Sequence, residues 1–245
     1  MNPPRLAILQ FDADNTPGYV APFLERSGQP FELLRLDLDP HRPIAGYDGY
    51  VLMGGPMMVG DDLPWMGRVL DQLRHCLAED RPVLGHCLGA QLLAHAAGGT
   101  VGPCPHPEVG WVDVAPCDNA RARTVLGHLV RDGALPVYHW HLQSFSLPPG
   151  AELLLTRSEM PTQAFTLGPH FAFQSHIEVD TDILRRWYEL QPDPVGAYPS
   201  GSIQTPAQAL ADAPIRLARM RALAERVYEA WIGEVRTSRE TRVKP

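Results

Sequence analysis

The run Gly85-His86-Cys87-Leu88-Gly89 holds the residues best placed to do chemistry. A short apolar stretch, 82–85, ends there, and a helix-forming stretch follows at once. The cysteine therefore falls at the apex of a strand–turn–helix. Gly85 and Gly89 let the backbone pass close to itself, which pushes the sulfur out of the fold. Amide N–H groups at the start of the following helix then face whatever the sulfur attacks. They favour negative charge there and can receive a developing oxyanion. The chemistry of such a site is thiolate attack on a carbonyl carbon, and it needs a base. Residues 171–178, FAFQSHIE, supply His176 and, two residues on, the carboxylate Glu178. In an extended chain alternate side chains share a face. The spacing predicts that Glu178 holds one imidazole nitrogen and leaves the other for the sulfur.

Other reactive residues read more plainly. His139 and His141 are two apart, as are Cys104 and His106, with Cys117 nearby. None of this matches zinc-type spacing, so neither a metal nor a cofactor is expected. His141 is expected at the rim of a substrate pocket. His86 is expected to be structural, with its side chain turned from the sulfur. Gly54-Gly55-Pro56 ends an apolar run ahead of the cysteine turn, which favours a backbone role at the oxyanion. The five tryptophans read as core or helix-packing residues.

Composition bounds the class. The chain has 245 residues, 44% hydrophobic and 20% charged, as expected of a soluble globular protein. A single domain over 1–245 is the simplest reading, with its core at about 45–180. A net charge of -7 argues against nucleic acid as a partner. No stretch approaches the roughly 18 apolar residues that span a bilayer, and none near the start has signal-peptide length. The four cysteines form no CxxC pair. A reduced, cytoplasmic protein is expected.

Strands are predicted at 5–11, 31–36, 49–53 and 82–85, and helices at 20–27, 65–79 and from the cysteine turn to about 97. This alternation predicts an α/β fold, a parallel sheet covered on both faces. Ligands of such sheets bind beyond the carboxyl ends of the strands. Gly54-Gly55 and Cys87 both lie at such ends. After Gly99, short β-like runs at 111–114, 135–138, 152–156, 163–166 and 170–174 predict a small, mostly antiparallel extension. A helix is expected over 180–190, a loop over 191–206, and one long helix or two over 207–235. Leu217, Met220, Leu223, Ala224, Val227 and Trp231 form its packing face, toward the chain's own core or a second protomer.

GHCLGAQLLA, followed by QSHIE, resembles the class I glutamine amidotransferase domains. So do MGGPMMV at 53–59, EVGW at 108–111 and HWHLQSFSLPPGAELLLTRSEMPTQAF at 139–165. The likeness is greatest to the stand-alone, GMP synthase-like members. It implies a three-layer, flavodoxin-like fold. It implies that Cys87 attacks the side-chain amide of glutamine, that His176 moves the proton, and that Glu178 holds His176. It also implies an oxyanion hole at the Gly55 and Leu88 amides and glutamine contacts from Gly54, Gln91, His141, Leu142 and Gln143. Leu142 and Gln143 stand where many relatives have Gly then Asp, and Met57 where some synthetase-linked members have glycine. Implied partners are glutamine or another γ-glutamyl compound and a separate synthetase or ammonia-acceptor subunit; a homo-oligomer stays open. A self-sufficient γ-glutamyl hydrolase and a non-catalytic binding module are the alternatives.

Overall fold

Leu6–Gln10, the first strand (β1), is buried along its whole length, and its side chains feed two different cores. Leu6 and Ile8 join one apolar cluster, and Ala7 and Leu9 join the other. Period-two alternation makes this the signature of a sheet covered on both faces. A computed structural model describes residues 3–131, 133–198 and 202–243. After β1 come α1 (Val20–Arg26), β2 (Phe31–Arg35), β3 (Gly49–Leu52), α2 (Met66–Ala78), β4 (Val83–His86) and α3 (Leu88–Ala96). The second half runs β5 (Val101–Pro116), α4 (Ala120–Leu126), β6 (Leu135–Phe145), β7 (Glu152–Thr156), β8 (Ala164–Leu167), β9 (His170–Phe173), α5 (Thr181–Leu190), α6 (Pro194–Ala197), β10 (Ser202–Ile203) and α7 (Pro206–Val243).

Strands β2, β1, β3, β4 and β9 lie side by side, each pair parallel. This is the flavodoxin-type order, with its switch beside β1. Beyond β9 the pairing turns antiparallel through β8, β7 and β5, and β6 pairs with β5 in a ribbon. Helices α1, α4, α5 and α7 pack on the Leu6/Ile8 face, and α2 and α3 on the other. The carboxyl ends of β1, β3, β4 and β9 converge on one edge.

Several expectations change in extent. The runs at 111–114 and 135–138 belong to much longer strands, β5 and β6. The ribbon's register shifts between Pro103 and Glu108, which brings Glu108 opposite His141. Helix α4, which no sequence pattern predicts, is capped by the Asn119 side chain accepting from Ala122 N at 2.7 Å. The expected loop 191–206 contains α6 and β10, and its residues 199–201 lie outside the described residues. The last helix is one element reaching Val243 rather than 235, and it buries Met220, Leu223, Ala224, Val227, Trp231 and Val235 in the chain's own core. Among the described residues no helix is long and apolar enough to cross a membrane.

Candidate active site

Cys87 closes β4 and caps α3 with φ 47° and ψ −107°, a left-handed conformation rare outside glycine. Its amide donates to Phe173 O at 2.8 Å, tying the turn to β9. The turn requires both flanking glycines. A Cβ on Gly85 would lie 2.6 Å from Ala90 N and from Gly89 C and O. One on Gly89 would lie 2.4 Å from Leu52 O. Held this way, Cys87 is 5% exposed, with its sulfur 3.7 Å from Trp140 O and 3.9 Å from Gln174 Nε2.

The chain brings His176 and Glu178 to this sulfur, though not by the route expected. Residues 174–178 leave β9 and turn, so the two side chains do not share a strand face. The turn is pinned by His176 N donating to Tyr138 O and Tyr19 N donating to Glu178 O, both at 2.7 Å. His176 Nδ1 bonds Glu178 Oε1 at 2.7 Å, and the Cys87 sulfur lies near enough to the same imidazole to raise its pKa. Burial alone would depress the imidazole. The Glu178 carboxylate, its hydrogen bond to the ring and the nearby Cys87 sulfur outweigh it and hold His176 up at about 10. Burial likewise opposes ionisation of Glu178, but His86 and His176 pull its carboxyl below the ordinary range. Cysteine, imidazolium and carboxylate thus form one buried row, an arrangement suited to a thiolate nucleophile with proton transfer at the histidine.

Gly54, expected at the substrate, lies against the imidazole instead: a Cβ there would sit 2.6 Å from His176 Cε1. Gly55 stands beside Leu88, with its Cβ position 3.1 Å from Leu88 Cδ2, so both oxyanion candidates adjoin at the start of α3. Gln91, His141, Leu142 and Gln143 line one cavity of 150 Å³ together with Gly55, Met57 and Cys87. Its wall is tied internally, since Gln91 Nε2 donates to Gln143 O at 3.0 Å and Val59 N donates to Gln143 Oε1 at 3.1 Å.

Four residues beyond those expected support the site. Gln174 reaches the sulfur; it lies two residues before His176, a spacing visible in the sequence. Trp187, read as core, packs its ring edge-on to His176 at 4.7 Å and donates to Asp14 O at 2.9 Å. Glu108 accepts from Arg157 Nη1, from Gln163 Nε2 at 3.3 Å and at His141 Nε2, 3.0 Å away. Burial opposes its charge, but His141, His139 and Gln163 hold it at about 2. Glu108, His139 and His141 offer ligand atoms within 4.8 Å of one another. The carboxylate is nevertheless matched by Arg157, and the trio braces the cavity wall. His86 turns its side chain 3.9 Å from Glu178 Oε2, and among the described residues neither His86 nitrogen nor Glu178 Oε2 finds a hydrogen-bond partner. Burial keeps this histidine below its ordinary pKa.

A buried thiol, imidazole and carboxylate at the strand ends of a doubly wound sheet define a class of cysteine-dependent amide-cleaving enzymes. The family profile described as glutamine amidotransferase class-I matches residues 21–182, and the chain belongs to that family. Its members are cysteine-dependent amidotransferases or hydrolases. A solved glutamine amidotransferase from Methylobacillus flagellatus is 37% identical, with a TM-score of 0.88 over 95% of this chain and 96% of that one. Gamma-glutamyl peptidase 3 of Arabidopsis thaliana is 26% identical over 174 residues, 68% of this chain and 69% of that protein. A glutamine-hydrolysing GMP synthase subunit of Ignicoccus hospitalis is 30% identical over 162 residues, 64% and 79% of the two chains. Of the longer GMP synthase of Aeropyrum pernix the match spans only 27%.

Proposed function

We propose that this chain hydrolyses the side-chain amide of glutamine through Cys87, His176 and Glu178. The observation that carries the proposal is the buried His176–Glu178 pair, hydrogen-bonded at 2.7 Å and close to the Cys87 sulfur, which lines a small cavity. The sulfur adds to the amide carbon, and the oxyanion is received by the Gly55 and Leu88 amides, each worth about 3 kcal/mol in the transition state. Protonated His176 gives its proton to the departing nitrogen as the C–N bond breaks, leaving a γ-glutamyl thioester. Neutral His176 then takes a proton from water, whose oxygen attacks the thioester and returns the sulfur. With glutamine the products are glutamate and ammonia, the latter passed to an acceptor on a partner, as similarity to the Ignicoccus GMP synthase subunit suggests. Four free cysteines suit a reducing cytoplasm.

The test is peptide mapping after exposure to an electrophilic diazoketone analogue of glutamine, with His176→Ala beside the wild type. A single adduct on Cys87, blocked by excess glutamine and weakened in the variant, is the expected result. A Cys87 that reacts with neither the analogue nor a small generic alkylator overturns the proposal and leaves a binding module.

The carboxylate has its own signature. Its negative charge raises the His176 pKa, so Glu178→Gln lowers it. The alkaline limb of kcat/KM, which reports loss of the imidazolium, is expected to move to lower pH by about 1–3 units. A pH–rate profile checks this, and an unmoved alkaline limb removes the carboxylate's role.

A further inference from the structure

A second cavity, of 260 Å³, adjoins the first and is lined by His176. The two share Gly55, Pro56, Trp140 and Tyr198 as a common wall, while His176 lines only the second and Cys87 only the first. This division matches the two halves of an amide substrate. The acyl half must lie with the sulfur that attacks it. The departing nitrogen must lie beside the imidazolium that protonates it, and any substituent on that nitrogen continues into the second cavity. Ammonia needs no such volume.

The lining identifies the substituent. Asp12 and Asp14 stand on one side, and Trp140, Trp187 and Tyr198 supply aromatic surface. Among the described residues no lysine or arginine lines the space. Arg186, the cation bonded to Asp14, places Nε 2.8 Å from Asp14 Oδ1 and Nη1 3.5 Å from Glu189 Oε2. Asp12 Oδ1 takes neutral donors, Asp14 N at 2.9 Å and Asn15 Nδ2 at 2.8 Å, while Arg35, the cation near enough to feel its charge, gives its hydrogen bonds to Asp37. The His176 charge is matched by Glu178. Carboxylates with aromatic rings attract a cation on an apolar stem and repel a carboxylate. Resting on the hydrolase reading above, we infer that the chain cleaves γ-glutamyl amides of cationic amines, the amine occupying this second cavity. The reaction is hydrolysis: water adds to the acyl carbon, the C–N bond breaks, and the amine leaves with a proton from His176. Peptide-like leaving groups, which end in a carboxylate, are disfavoured.

The experiment compares kcat/KM for three substrates of matched length, with glutamine as reference. They are γ-glutamyl-1,5-diaminopentane, γ-glutamyl-hexylamine and γ-glutamyl-6-aminohexanoate, which end in a cation, a methyl group and a carboxylate. The cationic amide is expected to exceed the neutral one by about 10-fold and the anionic one by about 100-fold. In Asp12→Asn and Asp12→Ala the cation-to-neutral ratio is expected to fall toward one, Asp14 being already matched by Arg186. Circular dichroism checks that the variants fold, and the wild-type series decides the matter if they do not. Turnover of glutamine with no preference among the three amides, or a preference for the anion, overturns this inference alone. Absence of turnover for every substrate, glutamine included, removes the hydrolase reading and this inference with it.

Discussion

Glycine at position 87 is expected to yield a protein more stable than alanine at the same position, with both variants inactive. Either change removes the sulfur, and kcat/KM is expected to fall at least about 10⁴-fold, as when a nucleophile is deleted from a cooperating set. The stabilities diverge because of the backbone. Cys87 is held at φ 47°, ψ −107°, a conformation costing about 1–3 kcal/mol in a residue with a Cβ. Alanine keeps that strain and glycine releases it. Glycine gives back about 0.5–1 kcal/mol through its freer unfolded chain, so a net advantage of about 1 kcal/mol is expected. For a chain of this size that is about 2–4 °C in Tm. Calorimetric melts of the two variants measure it, and a lower Tm for glycine would mean that the turn stores no strain.

The glycines beside the nucleophile are expected to be among the positions that tolerate a side chain least. Gly89→Ala would place a Cβ 2.4 Å from Leu52 O and 2.6 Å from Leu52 Cβ, and Gly85→Ala a Cβ 2.6 Å from the backbone of Gly89 and Ala90. Neither neighbour is a side-chain tip that can swing away. Helix α3 must lift from the sheet, which costs about 4 kcal/mol or more and lowers Tm by about 8–16 °C. Gly67→Ala is the control. It lies within α2 with nothing within 4 Å of the new Cβ, and a gain of about 0.5–1 kcal/mol is expected from helix propensity. If Gly89→Ala melts with the wild type, the close approach of α3 to β3 is not a constraint.

These glycines also explain why the elbow is legible in the sequence. A nucleophile turn constrains residues on either side of itself, so its pattern is local and survives in five consecutive letters. The parallel strands are legible for a similar reason, because a strand buried on both faces is a short unbroken apolar run. The ribbon of β5 and β6 is only partly legible. Pro103, Pro105 and Pro107 argue against a strand, yet β5 runs through them, with its register shifting just there. The conformation of 174–178 escapes the sequence because two residues of separation fit both a strand face and a tight turn. Its turn is set by Tyr138 and Tyr19, which are remote in sequence. The roles of His86, Glu108 and Trp187 are hidden for the same reason. Each acquires its place through a partner on another element, and no local spacing announces that.

Helix α7 gives the molecule an order of events. It lays Trp231 and Val235 beside Gly49 of β3, where a Cβ would meet them at 3.2 and 2.8 Å, and sets the Tyr228 ring 6.1 Å from His86 behind the carboxylate. A ribosome synthesises β3 and the cysteine elbow long before it reaches this helix. At about 5–20 residues per second, the interval between Gly49 and Val235 is on the order of 10–40 s. For that time the Leu6, Ile8 and Val51 face of the sheet has no cover from α7. The nascent thiol also meets its surroundings before its histidine has been made. Until the last helix docks, the open apolar face is what a chaperone would meet, and until His176 emerges the thiol stays without the histidine that activates it.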